Sequence, residues 1–98
     1  IEKAKVPATI VGHVGDGNFH VIFLLDPDEP KEKLAAENVN TKMIARAIDL
    51  EGTCTGEHGI GIGKRDSLAA EMGSALEIMS RIKRALDPAG IMNPGKIL

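Results

Sequence analysis

Four side chains stand out by type and spacing: His13, His20, Glu57 and His58. All three histidines of the chain fall in two short glycine-rich segments, and the second segment sets Glu57 directly before His58 in Gly56-Glu57-His58-Gly59-Ile60-Gly61-Ile62-Gly63. Imidazole is the commonest metal-binding side chain and suits zinc, iron or manganese-type ions. Two histidines with one carboxylate form a recurrent open set that leaves positions for water or substrate. His13, His20 and Glu57 are therefore candidate ligands of one divalent metal. Glu57 is preferred over the other carboxylates because its small neighbours let backbone and ligand approach closely. A cross-strand histidine pair with one ring bonded to backbone satisfies the same spacing, and spacing alone leaves both readings open.

Such a site needs a hairpin. His13 and His20 are an odd number of residues apart, so one straight strand would put them on opposite faces. Residues 8–13 and 19–25 read as two strands, with Asp16-Gly17 as a two-residue turn between them. Counting outward from that turn, Asn18 opposes Gly15, Phe19 opposes Val14 and His20 opposes His13. Opposed residues share a face, with Cβ atoms roughly 4.5–5.5 Å apart. The apolar run from Phe19 to Leu25 predicts a strand buried on both faces. A helix follows from Pro30 to about Leu50. Ala36, Val39, Met43, Ala47 and Leu50 lie on one face of it, and Gly52 marks its end. Thr53–Thr55 is a candidate third strand. A last helix spans about Ser67 to Leu86, its apolar stripe being Leu68, Met72, Ala75, Leu76, Met79, Ile82 and Leu86. Asp87-Pro88 stops it, and an irregular tail runs to Leu98. The expected architecture is α+β, a small antiparallel sheet with helices packed on one face, in a single partial domain over residues 1–98.

Composition narrows the function classes. With 43% hydrophobic and 27% charged residues the 98-residue chain is of ordinary globular type. Its net charge of −2, its lack of a basic stripe and its two aromatics, Phe19 and Phe23, argue against nucleic-acid binding. The run Val21–Leu25 is too short to span a bilayer. The lone Cys54 cannot form an internal disulfide, which fits a reducing, cytoplasmic compartment, with peripheral membrane attachment left open. Cys54 reads as a small buried residue rather than a nucleophile or ligand. The glycine run fails the phosphate-loop pattern, since His58 and Arg65 occupy positions that need Gly and Ser or Thr. Lys64-Arg65 reads as a solvated helix start or an anion attractor. Glu71, Glu77, Arg81, Lys83 and Arg84 read as a solvated helical face. A start at Ile1 with no signal-peptide pattern is expected of a piece of a larger enzyme.

Three long motifs occur in order. Gly12-His13-Val14-Gly15-Asp16-Gly17-Asn18-Phe19-His20 resembles the G-H-x-G-D-G-N-x-H segment of the FAD-linked oxidases of the vanillyl-alcohol oxidase superfamily. Gly52-Thr53-Cys54-Thr55-Gly56-Glu57-His58-Gly59-Ile60-Gly61 is similar to their G-T-x-x-G-E-H-G-I-G segment. Ala85-Leu86-Asp87-Pro88 with Ile91-Met92-Asn93-Pro94-Gly95-Lys96 is similar to their C-terminal signature. The branch most resembled is the D-lactate dehydrogenase and glycolate oxidase D-subunit group.

The resemblance implies the C-terminal part of a ferredoxin-like substrate or cap domain, whose partner FAD domain lies elsewhere in the parent chain. It implies His13, His20 and Glu57 as ligands of a divalent metal (Zn, Mn or Fe) and His58 as the active-site base. It also implies Asn93 as a residue near the flavin. The implied reaction is oxidation of a D-2-hydroxy acid, of D-lactate or glycolate type, to the 2-oxo acid, with hydride passing to FAD. Asp16 and Asn18 are candidates to fix the imidazole tautomers. The isolated chain is expected to be inactive and to self-associate through the face the FAD domain would cover. Two alternatives compete: a stand-alone divalent-metal-binding module without redox activity, and a structural α+β domain with incidental histidines.

Overall fold

The computed structural model describes residues 6–98. Its contacts group into two compact units, one ending at Gly52 and the other spanning Thr53–Leu98. The first holds strands β1 (Ala8–His13) and β2 (Asn18–Phe23) and helix α1 (Pro30–Asp49). The second holds helices α2 (Arg65–Met72) and α3 (Ala75–Leu86). Two antiparallel strands and three helices make the described chain α+β, as expected.

The hairpin turn differs from expectation. Val14–Asp16 form a 3-10 turn, and Gly17 closes it at φ 67°, its N–H donating to the Val14 carbonyl at 3.2 Å. A two-residue type I′ turn would have put Asp16 as well as Gly17 at positive φ. The longer turn confines that conformation to glycine, which has no Cβ to clash. Register moves accordingly: His13 pairs with Asn18, and His20 pairs with Val11 rather than His13. The displacement is by two residues, so no side chain changes face. Thr9, Val11 and His13 share one face with Asn18, His20 and Ile22; Ala8, Ile10 and Gly12 share the other with Phe19, Val21 and Phe23. His13 and His20 are thus diagonal neighbours, a relation that spans roughly 7–8 Å. The strands approach so closely at Gly12 that a Cβ there would lie 2.3 Å from the Asn18 carbonyl oxygen.

The expected double burial of β2 is not found, because Phe19 and Ile22 are about half exposed. The sheet of the described residues has two strands, so each strand has a single neighbour. In α1, Pro30 occupies the first turn, where its missing N–H costs nothing. Ala36 is buried and Val39, Met43 and Ala47 are half-buried, but Leu50 lies past the helix end and is exposed. The residue that turns left-handed there is Glu51 (φ 61°), not Gly52, whose N–H instead caps the Ala47 carbonyl at 2.8 Å.

Two further expectations are corrected in the second unit. Thr53–Thr55 is not a strand; the backbone N–H groups of Cys54 and Thr55 donate to side chains instead. The single helix over 67–86 is two helices. Gly73 adopts φ 52° and ψ −125°, a conformation closed to residues with a Cβ, and breaks the chain between α2 and α3. The apolar stripe divides with it. Leu68 is buried and Leu76 and Met79 are half-buried, whereas Ile82 and Leu86 stay exposed at the end of α3.

Candidate functional site

The first unit supplies two of the expected ligands. His13 at the end of β1 is exposed and His20 in β2 is half-buried, and both share their face with Asn18. The Asn18 Oδ1 is buried and has no hydrogen-bond partner among the described residues. Burying an amide oxygen without a donor costs about 1–3 kcal/mol. Two imidazoles beside an unmet acceptor form a donor set that fits a hydrated borderline cation, with Asn18 able to accept from its water.

The second unit supplies Glu57 and His58, on the loop between Gly52 and α2. Their side chains are 46% and 76% exposed, and Glu57 Oε1 lies 3.4 Å from His58 Nε2. Glu71 of α2 anchors the start of this loop. Its Oε2 accepts the Cys54 N–H at 2.8 Å and the Thr53 hydroxyl at 3.2 Å. The Thr55 hydroxyl donates to the Gly59 carbonyl at 3.0 Å and ties the loop to itself around Glu57 and His58. The Cys54 N–H, with the Cys54 thiol and the Thr53 hydroxyl, holds the Glu71 carboxyl below its ordinary value of 4.5, against a smaller opposing effect of burial. Burial pushes the Cys54 thiol up from 9.0, and the adjacent Glu71 adds to the shift. A buried thiol so placed is a poor nucleophile, in keeping with a structural role.

The tail is anchored too. Asp87, at the end of α3, is buried, and its carboxyl is held below its ordinary 3.8 by the Lys83 ammonium first and by the N–H groups of Met92 and Ile91. The Ile97 N–H donates to the Gly61 carbonyl at 2.7 Å and pins the tail to the glycine-rich loop. Between loop, α3 and tail lies a cavity of about 660 Å³. Its lining includes His58, Ile60, Met79, Ile82, Met92 and Asn93. His58 and Asn93, far apart in sequence, thus meet on one largely apolar cavity.

The depressed carboxyls carry a pH prediction. A carboxyl with a lowered folded pKa stabilises above its unfolded value, and that contribution is lost as pH falls through the folded value. The thermal midpoint should therefore fall as the pH drops below about 5 and the contributions of Glu71 and Asp87 are lost. Glu71→Gln should be less stable at neutral pH and show a shallower acid decline. A wild-type slope in that variant would remove Glu71 from the account.

Over residues 1–97 the chain matches the family of FAD linked oxidases, C-terminal domain. It belongs to that family. This FAD-linked oxidase domain is 44% identical over 99 residues to an Arabidopsis thaliana protein named D-lactate dehydrogenase [cytochrome], mitochondrial, covering 100% of the chain and 18% of the relative. It is 48% identical over 95 residues to a probable D-lactate dehydrogenase, mitochondrial, of Danio rerio, covering 96% and 19%. It is 39% identical over 87 residues to the Escherichia coli K12 glycolate oxidase subunit GlcD, covering 88% and 17%. The chain therefore spans less than a fifth of the length of these relatives. Among its described residues no helix is long and apolar enough to cross a membrane.

Three residues of this oxidase domain escaped the sequence pattern. Glu71 and Lys83 read as solvated charges on a helix, yet Glu71 holds the loop of Glu57 and His58, and Lys83 donates to Asp87 and to the Met92 carbonyl. Asp87 read only as a helix stop. The signal within reach was the four-residue spacing of Lys83 and Asp87, which puts opposite charges on one helix face. Glu71 offered none, because its partners lie 17 and 18 residues away in a loop.

Proposed function

We propose that this chain is the substrate- and metal-binding part of a flavin-dependent dehydrogenase that oxidises a D-2-hydroxy acid, of D-lactate or glycolate type, to the 2-oxo acid. One observation carries the reading: the identity to proteins named D-lactate dehydrogenase runs along almost the whole chain. The metal centre is supported by the shared face of His13 and His20 and by the unmet Asn18 oxygen on it. In this reading His13, His20 and Glu57 hold a divalent zinc, manganese or iron ion. When bound, such a cation would supply Lewis-acid polarisation of a substrate hydroxyl, and FAD would supply the hydride acceptor.

The rest is work for this chain's own side chains. His58 takes the hydroxyl proton on an imidazole nitrogen. Glu57 Oε1 lies 3.4 Å from His58 Nε2, beside the ring that takes the proton. Met79 and Ile82 give the cavity that His58 borders an apolar wall. Asn93, on the same cavity, would border the flavin, which would be held mainly by an FAD domain of the same parent chain.

The test uses the complete protein loaded with FAD and a divalent metal. Mixed anaerobically with D-lactate or glycolate, its visible flavin absorbance should bleach within turnover time, and L-lactate should leave it oxidised. A fully loaded protein that no D-2-hydroxy acid bleaches would sink the reading.

A further inference from the structure

Asn93 holds positive φ, a conformation that the proline after it opposes. Its φ is 49°, in the left-handed region that few residues with a Cβ enter, asparagine more readily than most. Pro94 follows it, and a residue before proline is driven towards extended backbone by clash with the proline ring. Contacts of the neighbouring backbone favour that conformation. The atoms that do so converge on Asp87, whose side chain is 3% exposed. Oδ1 of Asp87 accepts the Ile91 N–H at 3.0 Å, and Oδ2 accepts the Met92 N–H at 3.0 Å. Lys83 Nζ donates both to Asp87 Oδ2 and to the Met92 carbonyl oxygen. That carbonyl belongs to the Met92–Asn93 peptide, so its orientation is fixed on the N-terminal side of Asn93. On the other side, the Asn93 carbonyl accepts the Lys96 N–H at 3.2 Å.

End-capping of α3 does not require this arrangement. The helix is already closed by the Asp87 N–H, which donates to the Lys83 carbonyl at 2.9 Å. The carboxylate reaches beyond the helix to the two residues that precede Asn93. It does so with both oxygens and with Lys83, a half-buried counter-charge, beside it, the strong form of such contacts. We infer that Asp87, with Lys83, is a positioning residue for Asn93: the pair clamps residues 91 and 92 and so sets Asn93 on the wall of the cavity that His58 also lines. The clamp stands on contacts within one unit. Its consequence for flavin rests on the reading proposed above.

The test uses the complete FAD-loaded protein and separates the two. Crystal structures of Asp87→Asn and Lys83→Met should show Asn93 released from positive φ. Both variants should bind FAD about tenfold more weakly, and Asp87→Asn combined with Asn93→Ala should bind no more weakly than Asn93→Ala alone. A merely structural Asp87 would lower the melting temperature without this epistasis. Asn93 remaining near its present φ in both folded variants, or losses of affinity that multiply in the double variant, would overturn the inference. If Asn93 leaves its conformation but Asn93→Ala binds FAD as wild type does, the clamp is upheld and the flavin role of Asn93 falls.

Discussion

Replacing His20 by alanine in the complete protein is expected to strip the divalent metal and, with it, most of the activity. His20 is half-buried on β2, on the face it shares with His13 and with the unmet oxygen of Asn18. Removing a partner that merely orients a ligand costs about 10–100-fold in metal affinity, and removing a ligand should cost at least the upper end of that. The charge stabilisation a cation gives a developing alkoxide is worth several kcal/mol, so kcat/KM should fall on the order of 10³-fold. Metal content by elemental analysis and turnover with D-lactate are the two readouts. The control is Val11→Ala, opposite His20 on the same face but without a donor atom, which should keep both. A His20→Ala protein with full metal content and kcat/KM within about twofold of wild type would show a structural histidine pair.

How far the sequence disclosed this site depended on the range of the interaction. The hairpin pair is legible because side-chain alternation has a period of two, and an error of two in register leaves the face unchanged. His13 and His20 therefore share a face under the expected turn and under the observed one. The error itself came from Asp16-Gly17, which signals a short turn strongly but does not say whether Asp16 must enter the left-handed region. The break at Gly73 was hidden for a related reason: the apolar spacing of Leu68, Met72, Leu76 and Met79 continues through it, and periodicity does not register one residue of altered backbone. Exposure along β2 was illegible because an apolar run states what can be buried, not how many neighbours the strand has. The anchors were least visible of all. Glu71 and Lys83 are the residue types that usually cover a solvated helix face, and only three-dimensional contacts distinguish them from Arg81, whose exposed pair with Glu77 contributes a few tenths of a kcal/mol.

His58→Gln is expected to separate proton transfer from metal binding, which Glu57 and His58 make a sharp question by being adjacent. Glutamine keeps polarity and much of the size of histidine but cannot take a proton at neutral pH. If His58 is the base, kcat should drop by about 10²–10⁴-fold while metal content and FAD stay at wild-type levels. KM should change little, because an interaction made only in the transition state is removed. Added imidazole should restore part of the rate, since His58 is 76% exposed and borders a cavity of about 660 Å³ into which a small ring fits. The companion Glu57→Gln should behave in the opposite sense, losing metal first and rate in consequence. Side chains 3.4 Å apart would then carry two distinct losses. Should His58→Gln lose the metal while Glu57→Gln retains it, the ligand would be His58 and the roles would be exchanged. Should His58→Gln turn over within about threefold of wild type, proton removal would have to be assigned to another group.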